Sequence, residues 1–71
     1  MPRKLRELRA DLRRAAFAID RTTGSHETWE SRFDSSIRVT VAGQDGADAK
    51  PYQEKAVRKA IALARDKEQP S

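Results

Sequence analysis

The stretch Thr22-Thr23-Gly24-Ser25-His26 decides how this chain is read. Gly24 is the natural residue for a positive φ, and with Ser25 it marks a tight turn between two alternating segments. Upstream, Phe17-Ala18-Ile19-Asp20-Arg21 sets Phe17 and Ile19 on one face and Ala18 and Asp20 on the other. Downstream, residues 26–33 carry the β-branched and aromatic side chains that suit a strand. Their alternation turns Trp29 and Phe33 inward, and His26, Thr28, Glu30 and Arg32 outward. Asp34-Ser35-Ser36 reads as a hairpin. Ile37-Arg38-Val39-Thr40-Val41 then gives a third strand, with Ile37, Val39 and Val41 inward and Arg38 and Thr40 outward.

Helical periods flank these strands. Leu5, Leu8, Leu12, Ala15 and Ala16 recur on one arc, which predicts a helix over residues 3–16. Beside that stripe Arg6, Arg9 and Arg13 form an i, i+3, i+7 row with no acid among them, facing either solvent or an anionic partner. Residues 42–50 hold two glycines, two acids and no apolar period, and read as a loop. Asp48 suits an N-cap, and Pro51 the first turn of a second helix running to about Lys67. Its arc is Ala56, Val57, Ala60, Ile61, Leu63 and Ala64, with Tyr52 packed at the edge. The order is α-β-β-β-α. Both helices are expected on one face of a three-stranded antiparallel sheet, in a single α+β domain over residues 1–67, with a frayed tail at 68–71.

The chain has 71 residues and no cysteine, so one thin core must form without disulfides. Fifteen Lys and Arg against eleven Asp and Glu leave a net charge of +4. That balance permits polyanion binding and equally suits an ordinary soluble surface. No apolar run approaches the ~18 residues of a membrane span, and no signal-like segment opens the chain. A cytoplasmic protein without membrane attachment is expected. No ligand cluster for a metal and no glycine-rich phosphate loop is present, so neither a metal nor a small-molecule cofactor is expected. His26 is the one histidine, and the plain candidate for proton transfer at neutral pH.

Several residues in order resemble the HicA family, the small toxins of bacterial HicAB toxin–antitoxin pairs. A short basic helix ends in Leu12-Arg13-Arg14-Ala15-Ala16-Phe17 and leads into the first strand. Gly24-Ser25-His26 follows, with the aromatic Trp29 three residues on. Arg38-Val39-Thr40-Val41 comes next, and a polar loop over residues 43–52 leads into the last helix. The resemblance spans residues 3–64. Glu27 stands where many relatives carry a second histidine, Ala16 where they carry glycine, and Phe33-Asp34-Ser35-Ser36 where they carry His-Pro-Asp-Gly.

The resemblance implies a fold similar to the double-stranded RNA-binding domain, and a toxin that cleaves mRNA. Its conserved histidine corresponds to His26, and a HicB-type antitoxin would cover that residue. A histidine base can take the proton of an RNA 2′-hydroxyl without a metal, an effect worth on the order of 10²–10⁴-fold. The phosphorane it generates needs cationic or N–H donors. The turn N–H groups of Gly24 and Ser25, and the side chains of Arg21, Arg38 and Lys50, are the candidates, with Arg6, Arg9 and Arg13 as further phosphate contacts. The alternative is a non-catalytic RNA-binding module of the same fold, in which His26 only touches RNA.

Overall fold

The computed structural model describes residues 3–68. Helix α1 spans Leu5–Arg14, strands β1, β2 and β3 span Phe17–Thr23, His26–Ser31 and Arg38–Ala42, and helix α2 spans Pro51–Glu68. The sheet is antiparallel in the order β1-β2-β3. The expected α-β-β-β-α order and two-helix, three-strand layout are therefore observed. Helix α2 runs one residue past the expected domain edge, and the rest of the expected tail lies outside the described residues.

The core is a sandwich of one sheet face and two helices. Phe17, Trp29, Val39 and Val41 from the sheet meet Leu5, Leu8 and Leu12 of α1 and Val57, Ala60 and Ala64 of α2. Trp29 sits centrally, paired across the sheet with Ile19 on one side and Val39 on the other. Arg13 lies over its ring, with the guanidinium carbon 5.4 Å from the ring centre.

Both helices begin on a lysine, and the side chain three residues later turns back to it. Glu7 accepts from the Lys4 N–H at 3.2 Å, and Gln53 accepts from the Lys50 N–H at 3.0 Å. Each bond closes half of a capping box. Asp48 is therefore not the N-cap of α2. It instead pairs with Lys4, whose Nζ donates to it at 2.6 Å across an isolated bridge between the two residues.

Inward parity holds for Trp29, Val39 and Val41 and fails at the strand ends. Strand β2 stops at Ser31, so Phe33 leaves the alternation and is 45 % exposed rather than core. Ile19 keeps its inward register, but β1 is an edge strand and runs out from under the helices, leaving Ile19 43 % exposed. On α2 the buried arc is narrower than expected: Ala56, Leu63 and Tyr52 lie on the exposed side, and Gln53 is buried in their place. The Gln53 amide donates to the Ala42 carbonyl at 3.1 Å, tying the start of α2 to the end of β3.

Candidate functional site

Strand β2 begins at His26, directly after the two-residue turn Gly24-Ser25. Thr23 pairs with His26, and Gly24 has φ +58°. A positive φ at the first turn residue is the pattern of a type II′ hairpin, whose twist matches the strands it joins. His26 also pairs with Ala42 on β3, so it lies mid-sheet at one end of the meander. Its parity opposes Trp29, and the imidazole is exposed on the face that no helix covers.

A bulge in β1 shapes that face. The register shifts between Ile19 and Arg21, with Asp20 as the extra residue. Without it Arg21 would share the inward parity of Phe17. With it Arg21 pairs with Thr28, and Thr23 with His26, so both join the outer face. The His26 half of this face therefore holds Thr23, Arg21, Thr28, Thr40 and Ala42. Arg21, Lys50, Arg6 and Arg13 are exposed and make no ion pair among the described residues.

Arg38 occupies the other half under different terms. Its guanidinium lies 3.3 Å from Glu30 and 3.6 Å from Asp20, and donates to the Ser35 carbonyl at 3.1 Å. Two carboxylates offset its charge, so it is not the free cation that its outward parity suggested. Glu30 is correspondingly committed to Arg38.

Arg9 departs furthest from expectation. It is not part of an open arginine row but is buried, with its Nε on Glu27 at 2.8 Å, Nη1 on Asp45 at 2.6 Å and Nη2 on the Gly43 carbonyl at 2.5 Å. Burial works against its charge, but the bonds to Glu27 and Asp45 more than offset this and hold its pKa above the ordinary value. Glu27 also accepts from the Trp29 indole N–H at 3.2 Å. The acid beside His26 thus points to the opposite side of the sheet, already engaged by two donors.

Strand parity carried a signal for this pair. Glu27 is two residues from the inward Trp29, so an acid there needs a buried cation. Arg9, next to Leu8, is the arginine that α1 can send inward.

The loop after β3 closes the same end of the molecule. Gly43 donates its N–H to the Ser25 carbonyl at 3.3 Å. It has φ +117°, which favours glycine, and a Cβ there would stand 2.7 Å from Leu5 Cδ1 and force that side chain to shift. Asp45 and Ala47 carbonyls accept from the first N–H groups of α1. Among the described residues no three His, Cys, Asp or Glu side chains converge to hold a metal ion. No helix among them is long and apolar enough to cross a membrane.

The domain thus has one sheet face closed by helices and the other open, with the single histidine of the sequence at one end of the open face. The family is shown by sequence: residues 5–63 match the model described as the HicA toxin of bacterial toxin–antitoxin. The chain belongs to that family, and so to the toxin half of toxin–antitoxin pairs. Comparison with curated proteins gave no match, and neither did comparison with solved structures.

Proposed function

We propose that this toxin is an endoribonuclease of mRNA that works without a metal through His26. The observation that carries the reading is the exposed imidazole on the open sheet face, beside a turn with unspent donors. The N–H groups of Gly24 and Ser25 form no backbone hydrogen bond among the described residues. In the proposed reaction the neutral imidazole takes the proton of a 2′-hydroxyl. That oxygen attacks the adjacent phosphorus, and the bond from phosphorus to the 5′-oxygen breaks. The products are a cyclic phosphate and a 5′-hydroxyl, whose proton comes from water.

Each neighbour then has a role. The turn N–H groups stabilise the phosphorane oxygens as charge develops. Arg21, on the same sheet face, and Lys50, at the start of α2, draw the flanking phosphates. Arg6 and Arg13 lie on α1, behind the sheet, and add to the general positive field, with Arg13 also stacked on Trp29. Arg9 is spent internally, and Arg38 is held by its own acids. A HicB-type antitoxin is proposed to neutralise the toxin by covering the His26 face.

Purified protein and a His26→Ala variant, each incubated with mRNA in excess EDTA, test the reading. The wild type is expected to cut and to leave cyclic-phosphate ends, and the variant to lose on the order of 10²-fold or more in rate. Equal cutting by both proteins would remove His26 from the chemistry. RNA binding without cutting by the wild type would favour the non-catalytic module.

A further inference from the structure

Arg9 is the one charged side chain that the fold buries among the described residues, at 6 % exposure. Its bonds reach one neighbour of His26 directly and the other through Gly43. Nε holds Glu27, the residue after the histidine, at 2.8 Å. Nη2 holds the Gly43 carbonyl at 2.5 Å, and the Gly43 N–H in turn holds the carbonyl of Ser25, the residue before it. Nη1 secures the same loop at Asp45. One guanidinium therefore engages the Glu27 side chain directly and the Ser25 carbonyl through Gly43, from behind the sheet, while the imidazole faces forward.

We propose that Arg9 is a positioning residue for His26. The brace has little slack. The Glu27 oxygen that Arg9 holds also receives the Trp29 indole N–H, and Trp29 is fully buried. Gly43 faces Leu5 of α1, where a Cβ would stand 2.7 Å from Leu5 Cδ1, so the loop passes close to the helix that carries Arg9. Three bonds in divergent directions also require the planar fork of arginine. A lysine would keep the charge, but as a point donor it would lose the geometry. Arg9 thus links α1 to the reacting end without touching RNA.

The consequence for catalysis rests on the ribonuclease reading, whereas the brace itself does not, and the test separates them. The single histidine gives one imidazole signal by NMR, so its environment is read without assignment by mutation. Full-length wild type, Arg9→Lys, Arg9→Met and Asp45→Asn are compared by His26 ring and amide shifts, by circular dichroism and by RNA cleavage. Arg9→Lys and Arg9→Met are expected to move and broaden the His26 signals. They are expected to lower kcat on the order of tenfold to 10²-fold, with KM unchanged, as for a misplaced catalytic group. Asp45→Asn keeps the Glu27 and Gly43 bonds and is expected to give a smaller shift.

Wild-type His26 signals and wild-type kcat in a folded Arg9→Lys protein would overturn the proposal. Should Arg9→Met not fold, Arg9→Lys decides alone. A wild type that cuts no RNA would end the ribonuclease reading, and the NMR comparison would still decide whether Arg9 sets the position of His26.

Discussion

Two arginines in this small domain do the same thing on opposite sides of one sheet. Arg9 bridges Glu27, Asp45 and a backbone carbonyl behind the sheet. Arg38 bridges Glu30, Asp20 and a backbone carbonyl on its front. They differ in burial: the Arg9 side chain is 7 % exposed and that of Arg38 is 52 %. Contact lengths follow, at 2.6–2.8 Å to carboxylates for Arg9 and 3.3–3.6 Å for Arg38. A buried guanidinium has no water to fall back on, so its partners become fixed points of the fold. An exposed one trades its partners with solvent and does little more than set local charge.

The largest expected effect comes from removing the buried member. Arg9→Met keeps the apolar stem volume but leaves Glu27 facing the core without its main partner. Breaking a mostly buried pair in this way costs about 3 kcal/mol. In a domain of this size that lowers Tm by roughly 15 °C. Adding Glu27→Gln removes the stranded charge and is expected to return part of the loss. Thermal unfolding of the two variants measures both. A double variant no more stable than Arg9→Met would mean that the Glu27 charge was not the source of the cost.

The same contrast explains what the sequence could show. Apolar period sufficed for the element order and for Trp29, Val39 and Val41, because burial on one sheet face leaves few other solutions. It failed at Phe33 and Ile19, where the next residues and the edge of the helix cover, rather than parity, decide exposure. His26 was legible because turn chemistry and parity together fix its face. Arg9 was not, because a charged residue beside an apolar stripe looks the same whether it meets water or a buried acid. Its partner Glu27 held the missing information through its parity with Trp29. The capping pairs Lys4–Glu7 and Lys50–Gln53 also escaped sequence reading. Lysine is a poor N-cap by propensity, and the side chain that closes each turn lies three residues on.

Asp11 stands between the two arginine sites in burial and tests the middle of the scale. Burial would raise its pKa, but Arg3 at 2.6 Å and Arg14 together hold it below the ordinary carboxylate range. Its folded pKa lies below its unfolded one, so its stabilisation is present above about pH 4 and is lost as pH falls through the folded value. Glu7, held by the Lys4 N–H and Arg3, and Asp34, held by the Ser36 hydroxyl and N–H, are lowered in the same sense. Stability is therefore expected to fall from about pH 4 downward. Asp11→Asn should flatten that fall while lowering stability at pH 7. Tm measured from pH 7 to about pH 2.5 checks both, and an unchanged acid slope in the variant would assign the effect elsewhere.

Arg38→Met should have the smallest effect on stability and the more informative one on the surface. Its ion pairs are exposed and long, so their loss is expected to change stability by at most about 0.5 kcal/mol. The charge, however, does not disappear quietly. Asp20 and Glu30 remain on the sheet face that carries His26, and their uncompensated carboxylates oppose an RNA strand crossing it. Affinity for RNA should therefore weaken at low salt, with the difference shrinking as ionic strength rises and screening shortens the reach of those charges. Asp20→Asn with Glu30→Gln should do the reverse, releasing Arg38 to phosphate and steepening the salt dependence. Arg9→Met would show the opposite division, a large loss of stability with little change in the salt slope, since its guanidinium never faced the solvent. Filter binding of a single-stranded RNA across a salt series, read beside the Tm of each variant, separates the two arginines. If Arg38→Met lowered Tm as far as Arg9→Met, burial would not be what distinguishes them.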